Sequence, residues 1–240
     1  MVRARARPQL GLRAGLPDGP SLINPSRLAA LAFALAFAPA ASAQGARGGP
    51  AGEFDFYVLA LSWSPGFCEL EGARKRRRQC EPDGDLGFTV HGLWPQFETG
   101  YPSECGPAGR FPSRAALEEA RGVFPDEGLA RYQWRRHGTC SGQSPAAYFA
   151  DARRARDAVR IPERFRSLPA ALSVTPLDIE RAFGEANPTL RPDMMAVVCR
   201  RGVLQEVRIC LERDLRGFRR CPEVDRSGCG PGQIRIGATR

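Results

Sequence analysis

Histidine is scarce in this chain: two among 240 residues, His91 and His137. Lysine is scarcer still, since Lys75 stands alone and arginine carries nearly all the positive charge. That bias fits codon composition in a GC-rich genome better than it fits a function. The eight cysteines include no close pair of the CxxC kind, which leaves the usual zinc spacing unmet. With two histidines and no clustered acid–histidine motif, a metal-dependent hydrolase lacks ligands, so neither a metal nor another cofactor is expected. Long apolar runs are missing too. The one apolar stretch, within "RLAALAFALAFAPAASA" at residues 27–43, is about a dozen residues long, where a membrane span needs roughly 20. No later segment is apolar enough to span.

That stretch has another reading. Arg27 supplies a positive flank, and Ala41-Ser42-Ala43 is a small-x-small cleavage site. Together they predict a signal peptide over 1–43, cut after Ala43, with no membrane anchor after processing. The segment holds five arginines and one aspartate, so its loss takes the net charge from +9 to +5. A mildly basic chain suits a polyanionic partner without proving one. All eight cysteines lie beyond the cut, and an even count behind a secretory signal reads as a disulfide framework in a secreted or periplasmic protein. Their spacing alone does not choose among the roughly 105 possible pairings.

The remainder, 44–240, reads as one domain. "FDFYVLALSWSP" (54–65) is a β-rich central strand stopped by Pro65-Gly66, and "LGFTVHG" (86–92) is a second buried strand. "YPSECGPAGRFPS" is loop, and "SRAALEEARGVF" has helical spacing. "DEGLARYQWRRHG" (126–138) reads as a helix stopped by Gly138, glycine being favoured just past a helix end. Ser144-Pro145 and Thr175-Pro176 each pair a capping hydroxyl with proline at the first helical position, opening two more helices. "MMAVVCRRGVLQEVRICLE" (194–212) reads as a hairpin turning at Arg201-Gly202. Interspersed strands and helices predict an α+β fold, a single domain with a central antiparallel sheet flanked by helices and stapled by disulfides.

Both histidines are followed by glycine, in "GFTVHGLWPQ" and "WRRHGTC". Histidine titrates near neutrality, so a pair serves as general base and general acid. His91 is expected at a strand end. His137 is expected at a helix C-terminus, where the dipole favours the protonated ring, and each glycine is expected to leave its ring open to a ligand. The plainer alternative, two structural histidines with satisfied nitrogens, stays open on position alone.

The two segments resemble the active-site motifs of the ribonuclease T2 family. "FTVHGLWP" matches the family's HGLWP segment fully. "QWRRHGTC" resembles HEWxKHGTC, matching it at Trp134, His137, Gly138, Thr139 and Cys140. "FYVLALSWSPGFC", "YPSEC" and "AVVCRRGVLQEVRICLE" extend the likeness over nearly the whole mature chain. The resemblance implies the pairs Cys68–Cys80, Cys105–Cys140, Cys199–Cys229 and Cys210–Cys221. It implies a broad-specificity endoribonuclease that cleaves RNA without a metal to 2′,3′-cyclic phosphate ends, with RNA as partner. DNA, lacking the 2′-hydroxyl, should resist, and the protein is expected to be a monomer. His137 would be the base, His91 the acid, and Arg136 would stabilise charge in the transition state. Trp94 would stack a base, with Tyr101, Gln96 and, more weakly, Phe97 in the same pocket.

The chain departs from the pattern at three positions. Tyr132-Gln133 stand where the family has His-Glu, and Arg136 where it has Lys. Arginine keeps the charge and can hold phosphate through two N–H groups. Tyr132 keeps a contact to phosphate without charge, and Gln133 keeps hydrogen bonding without a carboxylate. These changes favour an active enzyme with altered efficiency. They are also the support for the alternative, a non-catalytic RNA-binding protein on the same scaffold. The run "ARKRRR" (73–78) reads as a solvated loop that could speed encounter with RNA.

Overall fold

The strand at residues 56–63 alternates in size: Phe56, Val58, Ala60 and Ser62 shrink along one side, while Tyr57, Leu59, Leu61 and Trp63 stay large on the other. Strand geometry sends the two sets to opposite faces. The large set enters the main core and the small set borders a lesser cluster, so the sheet has one thickly packed face and one that tapers to Ala60 and Ser62. The computed structural model describes residues 46–72, 78–81, 87–106 and 111–239, all within a unit covering 41–240. The expected signal peptide, 1–43, and residues 73–77 of the basic run lie outside the described residues.

The strands are β1 (Ala46–Arg47), β2 (Phe56–Trp63), β3 (Phe88–Gln96), β4 (Pro102–Ser103), β5 (Leu172–Val174), β6 (Met195–Arg200), β7 (Val203–Leu211) and β8 (Ile234–Ile236). The main sheet runs β3-β2-β7-β8-β5, with β6 also paired to β7. The pairs β3–β2, β2–β7, β6–β7 and β5–β8 are antiparallel, and β7–β8 is parallel at a single register point. β1 and β4 form a separate parallel pair, so the expected loop 101–113 carries a short strand. The hairpin β6–β7 turns where expected, with Arg201 at φ 53° and Gly202 at φ 72°, the left-handed pair that a tight two-residue hairpin needs.

The helices are α1 (Ser64–Phe67), α2 (Arg114–Ala120), α3 (Glu127–Arg136), α4 (Pro145–Ala158), α5 (Glu163–Arg166), α6 (Pro176–Ala186) and α7 (Pro222–Arg226). Leu117, Trp134, Phe149 and Phe183 from α2, α3, α4 and α6 fill the main core, and Val224 from α7 joins the lesser one. The predicted caps form: Ser144 accepts from the Ala147 amide, and Thr175 and Asp178 close a reciprocal capping box. The α+β sheet flanked by helices is therefore as expected, and the cysteines pair 68–80, 105–140, 199–229 and 210–221.

Two local expectations fail. β3 does not end near His91 but runs on to Gln96, because Leu93 and Trp94 continue the alternation between the two faces. Gly138 does not cap α3. His137 is the cap residue, a short 3₁₀ turn over Gly138–Ser141 follows, and the left-handed residue is Gly142 at φ 76°.

Candidate active site

On the tapering face, Ala60 pairs with Gly92 on one side and Arg208 on the other. The next pairing joins Leu61 to Val90, so His91 has no residue opposite. It is the extra residue of a β-bulge, a feature that bends a strand and re-aims a side chain. Val90 and Leu93 on either side still enter the main core. The bulge thus turns His91 to the thin face, half-buried, without disturbing the packing behind it.

Glu206 reaches the same place across β2, facing Ser62. Its carboxylate hydrogen-bonds His91 Nδ1 and, with its other oxygen, accepts from Arg208 Nε at 2.9 Å. Burial alone would push this carboxyl up. The hydrogen bond and charge of His91, with Arg208, outweigh that and hold it at about 2. An ionised Glu206 is acceptor-only, so Nδ1 of His91 carries a proton and Nε2 is left for a ligand.

His137 is set differently. Its amide closes the last turn of α3 on Gln133 at 2.9 Å, and its ring is 8 % exposed. Burial, then the charges of Arg136 and His91, push it down from 6.5 to about 3. Desolvation outweighs the pull of the helix dipole towards a protonated ring and favours the neutral form, the form that the expected role as base requires. Its Nδ1 is buried with no hydrogen-bond partner among the described residues.

Trp94 lies between the two histidines. Its ring stacks on His137 at 5.3 Å and 28°, and meets His91 edge-on at 5.4 Å. Gln133, almost fully buried, accepts from Trp94 Nε1 at 2.9 Å, and the Arg208 guanidinium sits 5.2 Å from the Trp94 ring centre. The glycines serve this packing and do not open the rings to ligand as expected. A Cβ on Gly92 would come within 2.2 Å of Trp94 Nε1 and 2.3 Å of Gln133 Oε1, and one on Gly138 within 2.5 Å of Trp134.

Two cavities meet here. One of about 620 Å³ is lined by His91 and Glu206, and another of about 640 Å³ by His137, Trp94, Gln96, Tyr101 and Arg136. Tyr132, exposed, and Arg208 line both. Arg136 lies 3.3 Å from Glu104, whose own amide donates to the Arg136 carbonyl. Phe97 instead packs against the main core. Glu206 and Arg208 escaped the sequence reading; the local signal, a Glu–x–Arg pair within the expected hairpin strand, does not name the histidine it serves. The turn after His137 is pinned by Thr139, whose hydroxyl donates to the Arg135 carbonyl and accepts from the Cys105 amide, beside the Cys105–Cys140 bond. No group of three or more residues suited to holding a metal ion occurs among the described residues.

The sequence profile described as the Ribonuclease T2 family matches residues 54–221. A "Ribonuclease" of Aeromonas hydrophila is 38% identical over 168 residues, covering 69% of this chain and 75% of its own. "Ribonuclease I" of Escherichia coli is 29% identical, covering 68% and 77%. Among solved structures, an RNase-related protein from Calystegia sepium superposes with a TM-score of 0.60 at 22% identity, over 76% of this chain and 96% of its own. A mutant of RNase MC1 in complex with 5′-UMP gives 0.58 at 21%, over 69% and 92%.

Proposed function

Because the chain belongs to the ribonuclease T2 family and is a ribonuclease of that kind, we propose that it is an endoribonuclease cleaving single-stranded RNA by internal transphosphorylation, with broad base specificity. The observation that carries this reading is the contrast between its histidines: one neutral and buried, the other hydrogen-bonded to an ionised carboxylate. Paired titratable groups in opposed environments mark an acid and a base.

His137, neutral, takes the proton from the ribose 2′-hydroxyl. The 2′-oxygen bonds to phosphorus, the bond to the 5′-oxygen breaks, and His91 gives that oxygen its Nε2 proton. The products are a 2′,3′-cyclic phosphate and a 5′-hydroxyl. A base held so low is always free but weak; an incoming phosphate brings the negative charge that strengthens it. Arg208, where the cavities meet, and Arg136 face the charge that develops on phosphorus. Gln133 acts through Trp94 by fixing its indole, and Trp94 sets the spacing of the histidines. Tyr132 borders both cavities and contacts phosphate, while Gln96, Tyr101 and the Trp94 edge meet a base. A structural neighbour, a mutant of RNase MC1, was solved in complex with 5′-UMP, which is in keeping with nucleotide binding by this fold. DNA lacks the attacking hydroxyl and is not cut. The protein acts as a monomer and works outside the reducing cytoplasm; its four disulfides support that location.

The test mixes the oxidised protein with RNA in excess EDTA and looks for cyclic ends by mass spectrometry, beside His137→Ala. Cyclic ends from the first and none from the second are expected. A correctly disulfide-bonded protein that binds RNA but never cuts it would replace this reading with a non-catalytic binder.

A further inference from the structure

A third cavity, of about 740 Å³, shares Gln79, Thr89 and Val90 with the cavity of His91. The latter in turn shares Tyr132 and Arg208 with the cavity of His137. The three cavities therefore adjoin one another in order, from His137 to His91 and on across the wall at Thr89. The far end is lined by Arg156, Arg160 and Arg166 against a single acid, Asp157. Arg156 is tied down by Asp157 and by the Gly122 carbonyl at 2.6 Å. Arg166 donates through Nε to the Ile161 carbonyl at 3.3 Å, and its only acid partner among the described residues is Glu163, in an exposed pair at 3.2 Å of the kind that exchanges readily for another anion. Arg160 is exposed, and its guanidinium has no acid partner among the described residues. Its backbone, by contrast, is clamped on both sides. The buried Asn187 accepts from the Arg160 amide at 2.8 Å and donates to its carbonyl at 2.9 Å. The clamp fixes where the side chain starts, and its guanidinium, with no acid partner among the described residues, is available to an anion.

We propose that this arginine-lined end is a subsite for backbone phosphates of the RNA strand on the 3′ side of the cleaved bond. The inference rests on the acid–base assignment above, which gives it direction. His91 protonates the 5′-oxygen of the departing strand, so that strand leaves on the His91 side. Thr89, two residues before His91, lies about 7 Å along β3 from it, a distance comparable with the spacing of phosphates on an extended strand. The next phosphates therefore reach the shared wall at Thr89 and then the arginines. Contacts of this kind position the strand and read no bases.

The experiment compares kcat/KM for a dinucleoside monophosphate with that for the same dinucleotide extended by four nucleotides on its 3′ side or on its 5′ side. It uses the unaltered protein, Arg160→Ser, Arg160→Lys and Arg160→Ser/Arg166→Ser. The serine variants should match the unaltered protein on the dinucleoside, which also shows that they fold. On the 3′-extended substrate they should lose about tenfold, the scale of a charged hydrogen bond, with a salt slope shallower by about 0.7 per lost contact. Arg160→Lys should restore part of the loss. Equal behaviour on all substrates, or a loss on the 5′-extended one, overturns the proposal. An uncleavable 2′-O-methyl oligonucleotide separates the two readings. Unchanged binding by the double variant sinks the subsite, whereas absence of dinucleoside cleavage by the unaltered protein sinks the catalytic assignment instead.

Discussion

Glu206 is a buried acid in the middle of β7, and its two oxygens hold His91 and Arg208 at once. Glu206→Gln keeps the size and an acceptor for His91 but removes the charge that balances both cations. Outer partners of this kind typically matter by about 10–100-fold. The variant should therefore lose kcat on that scale with KM little changed, and the alkaline limb of its pH–rate profile should move to lower pH, because the acid loses the charge that favours its protonated form. Glu206→Asp should recover part of the rate. A profile of unchanged shape would reduce Glu206 to a packing residue. His91 and His137 were legible because the chain has no others and each sits in a recognisable segment. Glu206 was not. Its partner lies 115 residues away across β2, and no spacing in the sequence says which carboxylate meets a bulged residue two strands off.

The bulge in β3 and the turn after α3 each aim one histidine, and the Cys105–Cys140 bond fastens the second of them. Removing that bond by Cys105→Ser/Cys140→Ser should cost about 2–4 kcal/mol in denaturant unfolding. It should also lower kcat/KM at temperatures where the variant is fully folded, because the segment after His137 is then held by hydrogen bonds alone, those of Thr139 and that of the Gly52 amide to the Cys140 carbonyl. Full kcat/KM in the folded variant would confine the bond to stability. Element identity was well marked in the sequence wherever local chemistry decides it, as at the Ser144 and Thr175 caps and the Arg201-Gly202 turn. It was poorly marked where tertiary packing decides. Gly138 looks like a helix stop, yet it is glycine because Trp134 and Tyr148 leave no room for a Cβ. His91 looks like a strand end because a bulge has no local signature.

Across the whole molecule, three buried or half-buried groups set the response to acid. His137 has a folded value of about 3 against 6.5. Below pH 6.5 the unfolded chain gains a proton that the native state refuses, and stability falls. Glu206, at about 2 against 4.5, adds a second loss below pH 4.5. Glu180 opposes them. Burial, then Asp225, lift it to about 7 from 4.5, so between those values the native state binds the extra proton and gains stability as pH drops. Glu180 is half exposed, which makes its offset the smaller one. Urea unfolding should therefore show a shallow decline from pH 6.5 to 4.5 and a steep one below, approaching twice the ~1.4 kcal/mol per pH unit of a single proton. Glu180→Gln should remove the offset and steepen the first part. A stability curve flat down to pH 3 would contradict the buried neutral histidine.

The clamp between Cys105 and Cys140 also bears on the safety of the cell that makes this protein. An RNA-cutting enzyme is a hazard to its own ribosomes, and a thiol-rich cytoplasm keeps these two sulfurs apart. The turn that carries His137 then lacks its covalent tie, and the reduced chain is expected to cut RNA poorly. Under the proposal that the chain works outside the reducing cytoplasm, oxidation follows departure, and the covalent bond that steadies the turn carrying His137 doubles as an arming step.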